Sequence, residues 1–221
     1  MFGAQFTIEN DLKITMRPFR DSDVLGLAQG FSSYKVRHYL RSISGVSEEF
    51  ERDWIQKIEK STNEIVWAIV PGQEENAKGC ISINSIDDSA RSGTVGIAIF
   101  DPAWWGQGVA TTTHTALLYY ASTVWNLWTL SATVYEPNLP SARALLKNGY
   151  VEVGRLHQSE FRDGHLADVR IFQWINPYHA EMIFHPNPIP ELFTEAVQLS
   201  HQRLQEIAKI IPDLLPLERK I

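Results

Sequence analysis

The sequence predicts an α/β fold: one domain built on a mixed, mostly antiparallel sheet flanked by helices, with an amphipathic helix at the carboxyl end. Three observations predict it. Hydrophobic spacing alternates along the chain between a period near 3.6 and strand-like runs. Three such runs follow one another across polar turns, as antiparallel neighbours do. A glycine turn, Trp104-Trp105-Gly106-Gln107-Gly108-Val109-Ala110-Thr111, then joins a strand to a helix. In open α/β sheets, ligands bind at such strand ends.

The elements follow in order. A strand is expected over residues 12–19, ended by Pro18 and the polar group Arg20-Asp21-Ser22-Asp23. Asp21 or Ser22 can cap a helix whose stripe is Val24, Leu25, Leu27, Ala28 and Phe31. Ser47 caps a second helix over 47–60, with Phe50, Trp54, Ile55 and Ile58 at helical spacing. Glu48, Glu49 and Glu51 read as its solvated face. Residues 65–70, 78–83 and 93–100 are strands, the first two forming a hairpin around Pro71-Gly72. The helix after the glycine turn covers 111–124, with Val109, Ala116, Leu117, Tyr120, Ala121 and Val124 on its core face.

Residues 128–135 alternate as a strand, broken by Glu136-Pro137-Asn138-Leu139-Pro140. Ser141 can cap a short helix that Asn148-Gly149 ends. A hairpin pairs 150–161 with 167–174 through Arg162-Asp163-Gly164-His165. The chain therefore divides into a domain over 1–176 and a tail over 177–221. In the tail, Pro177, Pro186, Pro188 and Pro190 make an irregular connection. Leu192, Phe193, Ala196, Val197, Leu204, Ile207, Ala208 and Ile211 then mark a helix of roughly 20 residues, about 30 Å long. Such a stripe must be buried: on the domain itself, which is favoured, at a homodimer contact, or as a lid over a pocket.

Composition narrows the function classes. The chain has 221 residues, 44% hydrophobic and 21% charged, which suits a globular domain with one good core. A net charge of −6, with no basic stripe of interleaved aromatics, argues against nucleic acid or anionic lipid as partner. No apolar run approaches a membrane span, and no basic-then-apolar segment opens the chain, so cytoplasmic residence is expected. The single Cys80 can form no internal disulfide and no zinc site, and reads as a buried strand residue. No metal site is expected. Of the seven tryptophans, Trp54, Trp67 and Trp174 fit core stripes, Trp104 and Trp105 flank the glycines, and Trp125 and Trp128 can cover the sheet edge.

The glycine turn carries the functional signal. The first N–H groups of a helix have no partners within it, and the helix dipole favours an anion there. A nucleotide-triphosphate loop would need Lys-Ser/Thr after its second glycine, which is missing. A dinucleotide fingerprint would need three glycines after the first strand, whereas here two follow a late one. Kinase signatures are missing as well.

Trp105-Gly106-Gln107-Gly108-Val109-Ala110 resembles the acetyl-coenzyme A loop of the GNAT superfamily of N-acetyltransferases, Gln/Arg-x-x-Gly-x-Gly/Ala. Gly108 and Ala110 match, while Trp105 replaces the usual Gln or Arg. The order of elements over 12–175 is also similar to that family. Within it, Met16-Arg17-Pro18-Phe19 with Asp23, Asp101-Pro102-Ala103-Trp104-Trp105-Gly106, Asn138 through Gly149-Tyr150, and residues 161–169 resemble the ribosomal-protein N-terminal and spermidine acetyltransferase branch.

The resemblance implies a splayed sheet and acetyl-CoA as co-substrate, with direct attack of an amine on the thioester. It implies cofactor contacts from Ile99, Phe100, Trp105, Gly106, Gln107, Gly108, Val109, Ala110, Thr111 and Asn138, with an oxyanion donor near Ile99 or Phe100. Leu145 stands where the family's acid, a Tyr, is usual; Ser141 stands where this branch has a Ser implicated as acid, and helix capping is its equally natural role. No base is identified: the family's acidic places hold Thr94 and Thr112-Thr113. Asp87 and Asp88 read as a solvated turn, His114 as a partly buried contact, and His38 and Tyr39 fall in a region that lines acceptor pockets in relatives. The implied acceptor is a small-molecule amine or a protein N-terminus. The alternative is an acyl-CoA-binding regulator with little catalysis.

Overall fold

The computed structural model describes residues 1–40, 45–162 and 164–213. Its strands are β1 (Phe6–Ile8), β2 (Ile14–Arg17), β3 (Ile65–Pro71), β4 (Gly79–Asp87), β5 (Ser92–Ile99), β6 (Thr129–Tyr135), β7 (Val151–Arg162) and β8 (His165–Ile175). The helices are α1 (Val24–Ser32), α2 (Tyr34–Arg37), α3 (Glu48–Lys60), α4 (Val109–Thr123), α5 (Leu139–Leu146), α6 (Ala180–Phe184) and α7 (Glu191–Ala208). The strands form one sheet in the order β1-β2-β3-β4-β5-β6-β8-β7. All neighbours are antiparallel except β5 and β6. This is the mixed, mostly antiparallel α/β architecture that the sequence predicts.

One pairing is cut short. β5 and β6 meet only at Ser92↔Thr129, Gly93↔Leu130 and Thr94↔Ser131. β5 continues to Ile99 and β6 to Tyr135 without pairing to each other, so the sheet splays beyond Thr94. Strand alternation sends Ile81, Ile83 and Val95 into the core shared with α4 and α7. The opposite face, across β3 and β4, is covered by Leu27 of α1, Val36 of α2 and Trp54, Ile55 and Ile58 of α3. Helix α4, lying in the core, is buried nearly all round, as its apolar content on several faces requires.

Several local readings change. β1 was not expected; its three residues pair with β2 and bury Phe6 and Ile8. Asp23, rather than Asp21 or Ser22, organises the start of α1. Its carboxylate accepts from the Arg17 guanidinium at 2.7 and 3.0 Å and from the Arg20 and Ala77 N–H groups at 2.8 and 2.7 Å. Burial pushes the Asp23 carboxyl up, but these bonds outweigh it and hold the group below the usual range. Ser47 caps α3 as expected, accepting from the Phe50 N–H at 3.1 Å.

The tail contains α6 within its proline-rich connection, where no helix was expected. α7 docks on the protein's own surface: Leu204 and Ile207, with Ile211 just beyond the helix, enter the main core. The Ser200 hydroxyl accepts from the Trp174 indole at 2.7 Å and donates to the Asn148 carbonyl at 3.1 Å. In the β7–β8 hairpin, Arg162 pairs with His165 and Gly164 has φ +87°, while Asp163 lies outside the described residues. Among the described residues no helix is long and apolar enough to cross a membrane.

Candidate active site

Where β5 ends, the Asp101 carboxylate accepts the Ala103 N–H at 3.0 Å and starts a 3-10 turn with Pro102 at its head. Gly106 (φ +76°) and Gly108 (φ +85°) then reverse the chain into α4. Both are left-handed, and a Cβ at either would meet nothing within 4 Å. Gly108 is the N-cap of α4 and no side chain caps the helix. The first N–H groups of α4 therefore lack intrahelical acceptors. α4 begins at Val109, two residues earlier than the sequence reading.

A cavity of about 480 Å³ opens at this point. Ile97, Ala98 and Ile99 form one wall; Trp104, Trp105, Gly106, Gly108, Val109, Ala110 and Thr111 form the next. Asn138, Ser141, Arg143 and Lys147 enter from α5 and its cap, and Val36, Tyr39 and Leu40 enclose the other side. Trp105 is held by an indole N–H donated to the Ile99 carbonyl at 2.8 Å. Tyr39 meets its ring edge-on, with centroids 5.9 Å apart, and the Lys35 ammonium lies 5.4 Å from its centroid. The Trp that replaces the family's Gln or Arg thus braces the strand end.

Eight of the ten expected cofactor residues, and Ser141, line this cavity; Phe100 and Gln107 do not. Phe100 is buried against Phe31, and its N–H donates to the Lys78 carbonyl at 3.0 Å. That N–H is committed to the sheet, which removes Phe100 as an oxyanion donor. The Gln107 amide turns back to the Ala103 carbonyl at 2.6 Å on the exposed side of the turn. Asn138, not Ser141, caps α5: its side-chain oxygen accepts the Ser141 N–H at 3.2 Å. Among the described residues, the Ser141 hydroxyl has no protein partner.

The remaining candidates separate by burial. Leu145 is in the core. The Tyr150 phenol and His114 Nε2 lie 3.1 Å apart, both enclosed; burial pushes the phenol well up and His114 down to about 3, so both stay neutral. The Asp87 carboxylate accepts the Ser89 and Ala90 N–H groups at 2.8 and 2.9 Å in an exposed turn. Cys80 is pushed up to about 12, chiefly by burial and also by the Glu51 charge, which disfavours its thiolate. Among the described residues no group of three or more His, Cys, Asp or Glu is arranged to hold a metal.

Glu51 corrects the reading of α3. Instead of a solvated face, it is 3% exposed, and burial pushes its carboxyl up to about 7. Phe50, expected in the core stripe, is 57% exposed. The signal was in the spacing: 51, 54, 55 and 58 form one helical stripe, and 50 lies off it.

Comparison with known proteins agrees with this geometry. The model of the acetyltransferase (GNAT) domain matches residues 13–151. The chain is 25% identical over 173 residues to an uncharacterized N-acetyltransferase, YoaA, of Bacillus subtilis (strain 168), covering 77% of this chain and 97% of that one. Spermidine N-acetyltransferase from Vibrio cholerae, solved with CoA and spermine, superposes with a TM-score of 0.68 at 22% identity, over 73% of this chain and 95% of that one. Mycobacterium smegmatis RimJ, solved with CoA-disulfide, gives 0.68 at 18% identity over 95% and 94%. The fold and its splayed site define an acyltransferase. The chain belongs to the GNAT acetyltransferase family.

Proposed function

We propose that this acetyltransferase moves an acetyl group from acetyl-CoA to a primary amine, either a small molecule or a protein N-terminus. The observation that carries the reading is the parting of β5 from β6 beyond Thr94, with the uncapped start of α4 at its mouth. The residues present fit the donor: two left-handed glycines leave open backbone where a pyrophosphate needs close approach. The amides from Gly108 to Thr111 would hold that group. The strand edge over Ile97–Ile99 would pair with the pantetheine arm as an added strand does. Arg143 and Lys147 would meet the outer phosphates from α5.

Acetyl-CoA supplies an activated thioester, and the amine would attack its carbonyl directly. An N–H of the open β5 edge would stabilise the oxyanion in place of Phe100. The Ser141 hydroxyl would protonate the departing thiolate, since Leu145 cannot. A lone cysteine fits a reducing compartment, and we place the reaction in the cytoplasm.

The test is thiol release from acetyl-CoA across a panel of polyamines, monoamines and peptides, with donor binding measured by calorimetry. Amine-dependent release supports transfer. Tight donor binding without release for any amine would favour a second reading, an acyl-CoA-binding regulator, which the buried Leu145 at the usual acid position motivates.

A further inference from the structure

We infer that the Glu51 carboxylate receives the acceptor's ammonium group and takes its proton; this rests on the acetyl-transfer reading above. α3 carries five acidic residues, and Glu51 is the one turned onto the sheet and buried there. Among the described residues its carboxylate has no hydrogen-bond or ion-pair partner. A buried carboxyl without a partner takes up a proton more readily, and an arriving ammonium would supply the charge that its ionised form lacks.

Its position is next to the acyl-transfer wall. The Glu51 charge acts on Cys80, and Cys80 stands directly across from Ala98 in the β4–β5 register. Ala98 lines the cavity between Ile97 and Ile99. Beneath α3 the strands present small side chains: Cys80 and Ser82 from β4, with Gly96 and Ala98 opposite them. On the other face the same strands carry Ile81, Ile83, Ile97 and Ile99. The small side chains are therefore on the face of β4 and β5 that carries Ala98, the one of them that also lines the cavity.

The surroundings leave this carboxyl to titrate by itself. α1, β3 and β5 carry no ionisable side chain, and β4 contributes Cys80 and, at its far end, Asp87. Tyr34, Lys35, Arg37, His38 and Tyr39 come from α2 and the turn after it, and Arg41 lies outside the described residues. Arg52 turns outward, 3.8 Å from Glu48 and 3.9 Å from Asp21. Burial sets the carboxyl at about 7, basic enough to accept a proton near neutral pH.

The proton balance is closed. The ammonium gives one proton to Glu51, the freed lone pair forms the C–N bond, and the C–S bond breaks to leave a thiolate. The Ser141 hydroxyl gives its proton to that thiolate and is restored by the second proton shed from the nitrogen, and Glu51 returns its own to solvent.

The test compares wild type with Glu51→Gln from pH 5.5 to 9, using an amine that the wild type acetylates. We expect kcat/KM for the amine to fall about 100-fold and the limb near pH 7, along which wild-type activity rises with pH, to vanish. The acetyl-CoA Kd should stay within about twofold. A hydrazide, already neutral at pH 7, should lose less than about tenfold. Should the Gln variant lose its helical circular dichroism, Glu51→Asp takes its place, with the same rate loss and intact pH limb expected. Equal kcat/KM and an unchanged pH profile in a folded variant would overturn the inference and leave the acetyl-transfer reading standing. A wild type that binds acetyl-CoA but acetylates no amine would remove both.

Discussion

Gly106 and Gly108, on one side, and Gly149, on the other, share a left-handed backbone but stand in opposite surroundings. A Cβ at Gly106 or Gly108 would meet nothing within 4 Å. At Gly149 it would lie 2.1 Å from the Ser200 hydroxyl and 2.6 Å from the Ala196 carbonyl. Conformation explains the residue type at all three positions. Only the space around them tells a turn kept open for a ligand from one closed on another helix. The first is the mouth of the cavity, and the second is the seat of α7.

Substitutions should separate the two kinds of glycine. Gly149→Ala adds left-handed strain to a clash with fixed backbone, and should cost about 4 kcal/mol, lowering Tm by about 10 °C in thermal unfolding. A shift below about 3 °C would mean that α7 is not seated as described. Gly108→Glu should leave Tm within about 5 °C yet weaken acetyl-CoA at least about 100-fold, close to 3 kcal/mol, by calorimetry. Unchanged donor affinity there would dissolve the contrast.

Ser200→Ala strips partners from the Trp174 indole and the Asn148 carbonyl, and should cost about 2 kcal/mol in urea unfolding. Ser141→Ala is the mildest change. It should slow turnover about tenfold while Tm holds, because Asn138 caps α5. Loss of stability without loss of rate would return Ser141 to a capping role.

Much of this is legible in the sequence. Period and turn chemistry located α1, α3, α4, α5, α7 and every strand except β1, because each such element declares itself within a dozen residues. β1 is three residues long and exists because β2 offers it an edge. The glycine turn was legible for the same local reason. What failed depended on neighbours distant in sequence. Phe100 reads as the next residue of an open strand, yet the Lys78 carbonyl claims its N–H. Ser141 and Asn138 are both good caps, and backbone geometry chose Asn138. Glu51 shares its stripe with Trp54, Ile55 and Ile58, but its charge outweighed its spacing in the reading.

One contact described above bears on where this protein can be shortened. The Ser200 hydroxyl bonds Asn148, whose side-chain amide donates to the Thr111 carbonyl at 3.2 Å, in the first turn of α4. A relay of hydrogen bonds thus runs from the last long helix to the glycine turn, although α7 lines no part of the cavity. Cutting the chain where the sheet ends would keep every residue of the turn and remove the Ser200 bond to the Asn148 carbonyl. A helix that lines no part of the cavity thus braces the residue that bonds the start of α4.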